Sequence, residues 1–351
     1  MTEVAFTRCA RPHLTARRIS SYTILGFTGY VIANVVGVVL ASHWDLSLGE
    51  RLVAFFAPPI AFIVVVTISS AIAGHERIVF YQTAVAGVAT AVLIGWLVGA
   101  HVGRLLDVVT LCIGSFLVFG RIGCHSVACC HGTLGRGVTY GPPHVAVGFW
   151  LRWSGRALWP VQIVESIASG VLVLAGLAWS DEPGRAALIY VLGYAAVRFV
   201  LELVRGDGKR PYARGLSEAQ WVAVGTALAC AAWRPGIVTG AFAAALVAGA
   251  AVLVIRRHHR ELLLPPHLFE VDRILSTAAD GERHETALGV AVSRHLLPDG
   301  RIDWVLSSNH CCWSESSARD LAYRLWPSFE LVPGRTTGVI HVLTLSGMLP
   351  R

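Results

Sequence analysis

Residues 120–132, Gly-Arg-Ile-Gly-Cys-His-Ser-Val-Ala-Cys-Cys-His-Gly, place one arginine, three cysteines and two histidines directly after an apolar run that ends near Phe119. Two chemistries fit these residue types. Arg121 stands where an apolar segment gives way to polar residues, and can hold an anion at the membrane surface. Ionisable groups at that depth mark function by default. Alternatively, Cys124, Cys129, Cys130 and His131, with His125 beside them, offer the thiolate and imidazole ligands that zinc prefers, although Cys-x4-Cys-Cys is not the usual C-x2-C spacing. A disulfide, or thiols that are simply packed, is a third reading of the same cysteines.

Two further stretches carry chemistry. Tyr194, Arg198 and Glu202 recur at steps of four within 193–205, so on a helix they share one face. A self-neutralising Arg–Glu pair accounts for two of them, but not for the tyrosine in line with both. Gln162 and Glu165 follow Pro160 and fall on the first turn of an apolar helix. An acidic residue there also does no more than complement the helix dipole.

The elements that must position these residues are apolar. The chain has 351 residues, of which 54% are hydrophobic and 15% charged, with a mean hydropathy of +0.60. Soluble domains carry about 25% charged residues, so this composition is that of a membrane protein. The net charge of +7 suits loops facing anionic headgroups. No basic run with interleaved aromatics is present, so nucleic acid is set aside as a partner. Apolar runs cover 20–41, 52–73, 78–100, 104–120, 161–179, 186–205, 216–233 and 236–255. Basic residues precede the first, as in a signal peptide, but the run is too long and lacks a cleavage site, so it reads as a span.

The expected fold class is an all-α polytopic membrane protein of about seven or eight transmembrane helices, with a small α+β C-terminal extramembrane domain. The divisions are 1–256 for the membrane domain, 257–267 for a linker containing Pro265-Pro266, and 268–351 for the α+β domain. Segment 121–160, with Trp150, Trp153 and Trp159, reads as an arm along one membrane face. In the tail, a hairpin turns at 297–301, Ser314 caps a helix over 315–326, and 338–347 forms a last strand. Cys112 and Cys230, in mid-span, read as packing residues.

Together the three chemical stretches resemble the prolipoprotein diacylglyceryl transferase family, membrane enzymes of bacterial lipoprotein synthesis. Gly120, Arg121, Gly123 and Gly132 match its Gly-Arg-x-Gly-Asn signature and the glycine that follows. Pro160, Gln162 and Glu165 match its Pro-x-Gln-x-x-Glu stretch, and Tyr194, Arg198 and Glu202 its Tyr-x-x-x-Arg-x-x-x-Glu helix. Gly215, Leu216, Ser217 and Gln220 match the Gly-Leu-Ser and Gln beyond it. The resemblance runs from the first span to 233 and leaves 236–255 and the tail outside. Cys124 stands where the family has Asn, Cys129 where it has Glu, and Gln82 where its third span has His.

The resemblance implies that phosphatidylglycerol enters sideways from the bilayer and that Arg121 and Arg198 hold its phosphate, with Gln82, Gln162 and Glu165 also lining the lipid. A lipoprotein-precursor cysteine attacks the glyceryl carbon, glycerol phosphate leaves and a thioether remains. Tyr194, Glu202 and Cys129 join the two arginines as catalytic candidates, and His125, His131 or His75 is the candidate base for the thiol. No cofactor is expected. The implied partners are phosphatidylglycerol, a lipoprotein precursor and membrane lipid, and the implied location is the bacterial plasma (inner) membrane, crossed several times. Basic residues counted by the positive-inside rule put the N-terminus and the 121–160 arm in the cytoplasm; the resemblance puts the arm on the periplasmic face.

Overall fold

The structure, a computed structural model, describes residues 10–13, 19–74, 79–208, 210–257, 260–326 and 328–345. Long helices occupy the expected apolar runs: α1 (Ser21–His43), α2 (Leu48–Ala73), α3 (Phe80–Leu97), α4 (Val102–Ser126), α5 (Val161–Ala178), α6 (Arg185–Leu201), α7 (Glu218–Trp233) and α8 (Ile237–Arg257). Among the described residues, α1 to α5 and α8 are long and apolar enough to cross a bilayer, six in all. Helices α6 and α7 have 17 and 16 residues. Helix α2 begins before the apolar run at 52 because Ser47 and Glu50 form a capping box, with Ser47 N–H donating to Glu50 at 2.8 Å. Gly74, at φ 69°, ends it.

Helix α4 is the hub of this region. It packs against α1, α3, α5 and α6, and 56% of its apolar window is buried, against 22–39% for the other five candidate spans. Its surroundings are therefore protein, whereas Phe27, Ile63, Trp96, Leu174 and Ile237 on other helices are exposed, an apolar surface suited to lipid. Helix α4 also runs on to Ser126, past the expected end at 120, so Arg121 and Cys124 are helical and buried rather than at a span's edge.

The expected arm contains a short antiparallel pairing of β1 (Leu134–Thr139) with β2 (Ala157–Leu158). A second small pair joins β3 (Tyr212–Ala213) to β4 (Leu216–Ser217). By compactness the chain divides into two units, one of residues 1–147, 157–205 and 219–247, the other of 148–156, 206–218 and 248–351.

The second unit contains the tail. Strands β5 (Arg283–Glu285), β6 (Val290–Leu296), β7 (Arg301–Ser308), β8 (Glu330–Pro333) and β9 (Val339–Leu345) form one antiparallel sheet in the order β5-β6-β7-β9-β8. Alternation along β7 turns Ile302, Trp304 and Leu306 inward. There they join the buried Val271 and Leu275 of α9 (Pro265–Thr277) and Leu321 of α10 (Glu315–Leu325). Ser314 caps α10 as expected. Pro265-Pro266, expected as linker punctuation, instead open α9, where the missing N–H groups are no loss. Phe269 of α9 lies against the Trp150 ring, with centroids 4.7 Å apart.

Candidate active site

Three helices are locked in register before any of them presents a charge. Helix α6 starts at Gly184, which has no side chain to cap it. Asp107 of α4 serves instead, accepting from Gly184 N–H and Ala187 N–H at 2.8 Å each. About two turns further along α4, Gly114 leaves room for the Tyr190 ring of α6; a Cβ there would come within 2.7 Å of Tyr190 Cζ. The Tyr190 hydroxyl meets Ser169 Oγ of α5 at 2.9 Å, and its ring stacks on Tyr194 with centroids 5.9 Å apart.

On this frame the expected residues converge. Glu165, on the first turns of α5, is 1% exposed and is the bridge. Its carboxylate meets Arg121 Nη2 at 3.0 Å and Arg198 Nη1 at 3.4 Å, and it accepts from the Tyr194 hydroxyl at 2.6 Å. Arg198 Nη2 continues to Glu202 at 2.7 Å, and Arg205 Nη1 approaches the same carboxylate at 3.6 Å. Among the described residues the printed ion pairs link three guanidinium groups through two carboxylates. Arg121 Nε has no hydrogen-bond acceptor among the described residues.

The arrangement includes residues that pattern reading did not single out. One is Arg205, a basic residue just after an apolar run. It lies beyond the end of α6, three positions after Glu202, and is buried because a bridge between Gly132 and Arg205 holds that stretch. Phe80 supports the Arg121 guanidinium at 5.7 Å from its ring centroid and meets Tyr194 edge-on. Gln82 lies half-buried on the same first turn of α3 as Phe80. The spacing from Phe80 to Arg121 leaves no local pattern from which to read their contact.

Gln162 does not join the ion pairs. Its Nε2 donates to the Cys129 carbonyl at 2.7 Å, which ties the turn after α4 to the start of α5. That turn is tight. Ala128 and Cys130 have φ of 59° and 55°, a left-handed conformation that costs roughly 1–2 kcal/mol for a residue with a Cβ. It gathers the sulfurs of Cys124, Cys129 and Cys130 to within 4.8 Å of one another, and all three are free thiols. Hydrogen bonds from Cys124 and Cys129 hold the Cys130 thiol well below its ordinary value, and Arg205 and Arg121 add to this against the effect of burial.

Among the described residues no histidine belongs to this trio. His131 is buried and donates from Nδ1 to the Gly132 carbonyl at 2.9 Å. His125 shares a hydrogen bond with the Tyr140 hydroxyl at 3.1 Å. His75 lies outside the described residues.

Comparison with known proteins gives this arrangement a family. A phosphatidylglycerol–prolipoprotein diacylglyceryl transferase of Clostridium tetani (strain Massachusetts / E88) is 30% identical over 131 residues, which are 35% of this chain and 49% of that relative. The chain thus matches about half the length of the relative. The family model for prolipoprotein diacylglyceryl transferase matches residues 13–234. That range takes in every residue of the ion-pair chain and stops before α8. With its apolar helices, the match marks a multi-pass membrane protein. A match over more than half its length shows that the chain belongs to the prolipoprotein diacylglyceryl transferase family.

Proposed function

We propose that this chain transfers the diacylglyceryl group of phosphatidylglycerol to the cysteine thiol of a lipoprotein precursor, in a bacterial inner membrane. The observation that carries the reading is the pair of buried guanidinium groups, Arg121 and Arg198, that converge on the one Glu165 carboxylate, with Arg121 Nε free to donate. A charge held at membrane depth is expensive unless something uses it, and a lipid phosphate is the anion that depth supplies. Guanidinium suits it because its planar donors meet phosphate oxygens in pairs and stay charged.

In the reaction, the precursor thiolate attacks the glyceryl carbon next to the phosphate. A C–S bond forms as the C–O bond breaks, and the electron pair leaves on glycerol phosphate. Arg121 and Arg198 stabilise that leaving charge, the kind of preorganised electrostatic help that contributes most in such sites. Tyr194 and Glu165 hold the two arginines apart at rest, and Glu202 with Arg205 fixes Arg198 from the other side. The name of the Clostridium tetani relative supports the donor and the acceptor.

The test is transfer of labelled phosphatidylglycerol to a precursor peptide by full-length protein in vesicles, with complementation of a strain depleted of its own transferase. Arg121→Ala and Arg198→Ala should each abolish transfer while the protein still inserts, and lysine should rescue only in part, because a point charge cannot make paired contacts. Full activity in either alanine variant would sink the phosphate clamp.

A further inference from the structure

The turn after α4 contains a feature that the phosphate clamp does not use. Cys124 comes from the last turns of α4, and Cys129 and Cys130 from the reversal that follows, yet their sulfurs lie within 4.8 Å of one another. Tetrahedral zinc with Zn–S bonds of about 2.3 Å sets its sulfurs about 3.8 Å apart, so the trio needs only a small contraction to hold such an ion. Among the described residues no fourth side chain joins the group. His131 Nδ1 is bonded to a carbonyl and His125 Nδ1 to Tyr140. Of the three, Cys129 is the exposed residue.

We propose that Cys124, Cys129 and Cys130 form a three-thiolate site for a soft divalent cation of the zinc class, whose fourth position takes the thiol of the acceptor. Three protein ligands and one open position distinguish a zinc site that does chemistry from one that only holds structure. Three thiolates on a dication leave one net negative charge. Gln162 holds the Cys129 carbonyl, which fixes the turn that presents two of the three ligands.

The assignment of the fourth ligand rests on the transferase reading above. The incoming S–H gives its proton to water and its sulfur bonds the metal as thiolate, since a coordinated thiol is deprotonated outright. A metal-bound thiolate is an activated nucleophile. It then forms the C–S bond while the C–O bond of the donor breaks, with the electron pair leaving on glycerol phosphate. The product thioether is neutral and departs from the metal. No electron is gained or lost by the protein, and no further reactant is needed.

The experiment uses full-length protein in detergent with a non-thiol reductant, in a Cys311→Ser/Cys312→Ser background that removes the tail's own cluster of His310, Cys311 and Cys312. Zinc measured by mass spectrometry should stand at about one ion per chain. It should fall to the buffer blank in Cys124→Ser, Cys129→Ser and Cys130→Ser; the exposed Cys129 is the variant least able to disturb folding. Cobalt put in place of zinc should show a sulfur-to-metal charge-transfer band that grows when a cysteine peptide is added and not when its serine analogue is. Protein without metal, metal unaffected by Cys129→Ser, or two thiols lost to a disulfide would overturn the site. A band indifferent to the cysteine peptide would overturn the open position. Metal and thiol capture without lipid transfer would count against the transferase reading alone.

Discussion

Glu165→Gln tests the ion-pair chain at its most connected point. The carboxylate is 1% exposed and serves Arg121, Arg198 and Tyr194 at 3.0, 3.4 and 2.6 Å. Glutamine keeps the size and leaves an amide oxygen for Tyr194, but removes the charge that separates two guanidinium groups. Taking one partner from a buried ion pair costs about 3–5 kcal/mol. At about 2–4 °C per kcal/mol for a domain of this size, the variant should melt about 6–20 °C below the parent. The assay follows soluble monomer after stepwise heating in lipid nanodiscs, at one heating rate because such unfolding is often irreversible. Arg121→Met with Glu165→Gln replaces a charged pair by neutral groups of similar volume, which is often close to neutral for stability. Its cost should therefore fall well below the sum of the two single changes. Parent-like melting of Glu165→Gln, or simple additivity in the double variant, would refute the claim that these charges hold one another.

Gly114→Ala should destabilise by about 1–3 kcal/mol by overpacking against Tyr190, read in the same heating assay; an unchanged melt would show that the ring has room to move. Asp107→Ala orphans two buried N–H donors at about 1–3 kcal/mol each, and Asp107→Asn, which keeps one acceptor, should lose less. In the tail, His267 is buried between the Leu262 carbonyl and Thr286, and burial pushes its imidazole below its ordinary value. Folding therefore favours the neutral ring, so its contribution is full above about pH 6.5 and drains away as pH falls towards the folded value. Hydrogen exchange of β7 amides, taken as the ratio of parent to His267→Gln at each pH, should show that loss, and a flat ratio would contradict it. A cysteine at the exposed Leu151 should be labelled from outside intact cells, above the signal of the parent chain, if the arm faces the periplasm; labelling only after lysis would place it inside.

What was legible in the sequence was whatever a single helix carries by itself. The four-residue steps of Tyr194, Arg198 and Glu202 and the first-turn placement of Gln162 and Glu165 are local patterns, and the helices that hold them form where the apolar runs lie. The mismatch at the start of α2 has a local cause too, since Ser47 and Glu50 begin the helix in polar residues that a hydropathy reading discards. Contacts set by how helices pack were not legible. Nothing near Phe80 announces Arg121, and nothing in Glu165 alone says that it bridges two arginines rather than favouring its own helix dipole. Arg205 was hidden for the opposite reason: a basic residue after a span fits the headgroup region so well that its burial against Glu202 leaves no trace in the pattern. The convergence of the three thiols depended on left-handed backbone at Ala128 and Cys130, which neither residue type favours.

The cap that Asp107 lends to α6 has a consequence for how the protein is made. A helix whose first N–H groups are satisfied by a neighbouring helix is completed only when the two pack together. Helix α4 leaves the ribosome first and carries Asp107 with it, beside Arg104 at 3.4 Å as a counter-charge. Helix α6 arrives later with Arg198 inside it and Glu202 and Arg205 just past its end. Packing α6 in its place both closes its N-terminus on Asp107 and brings Arg198 to Glu165. A chain in which α4 and α6 fail to meet is left with two open N–H groups at the start of α6 and with Arg198 away from Glu165.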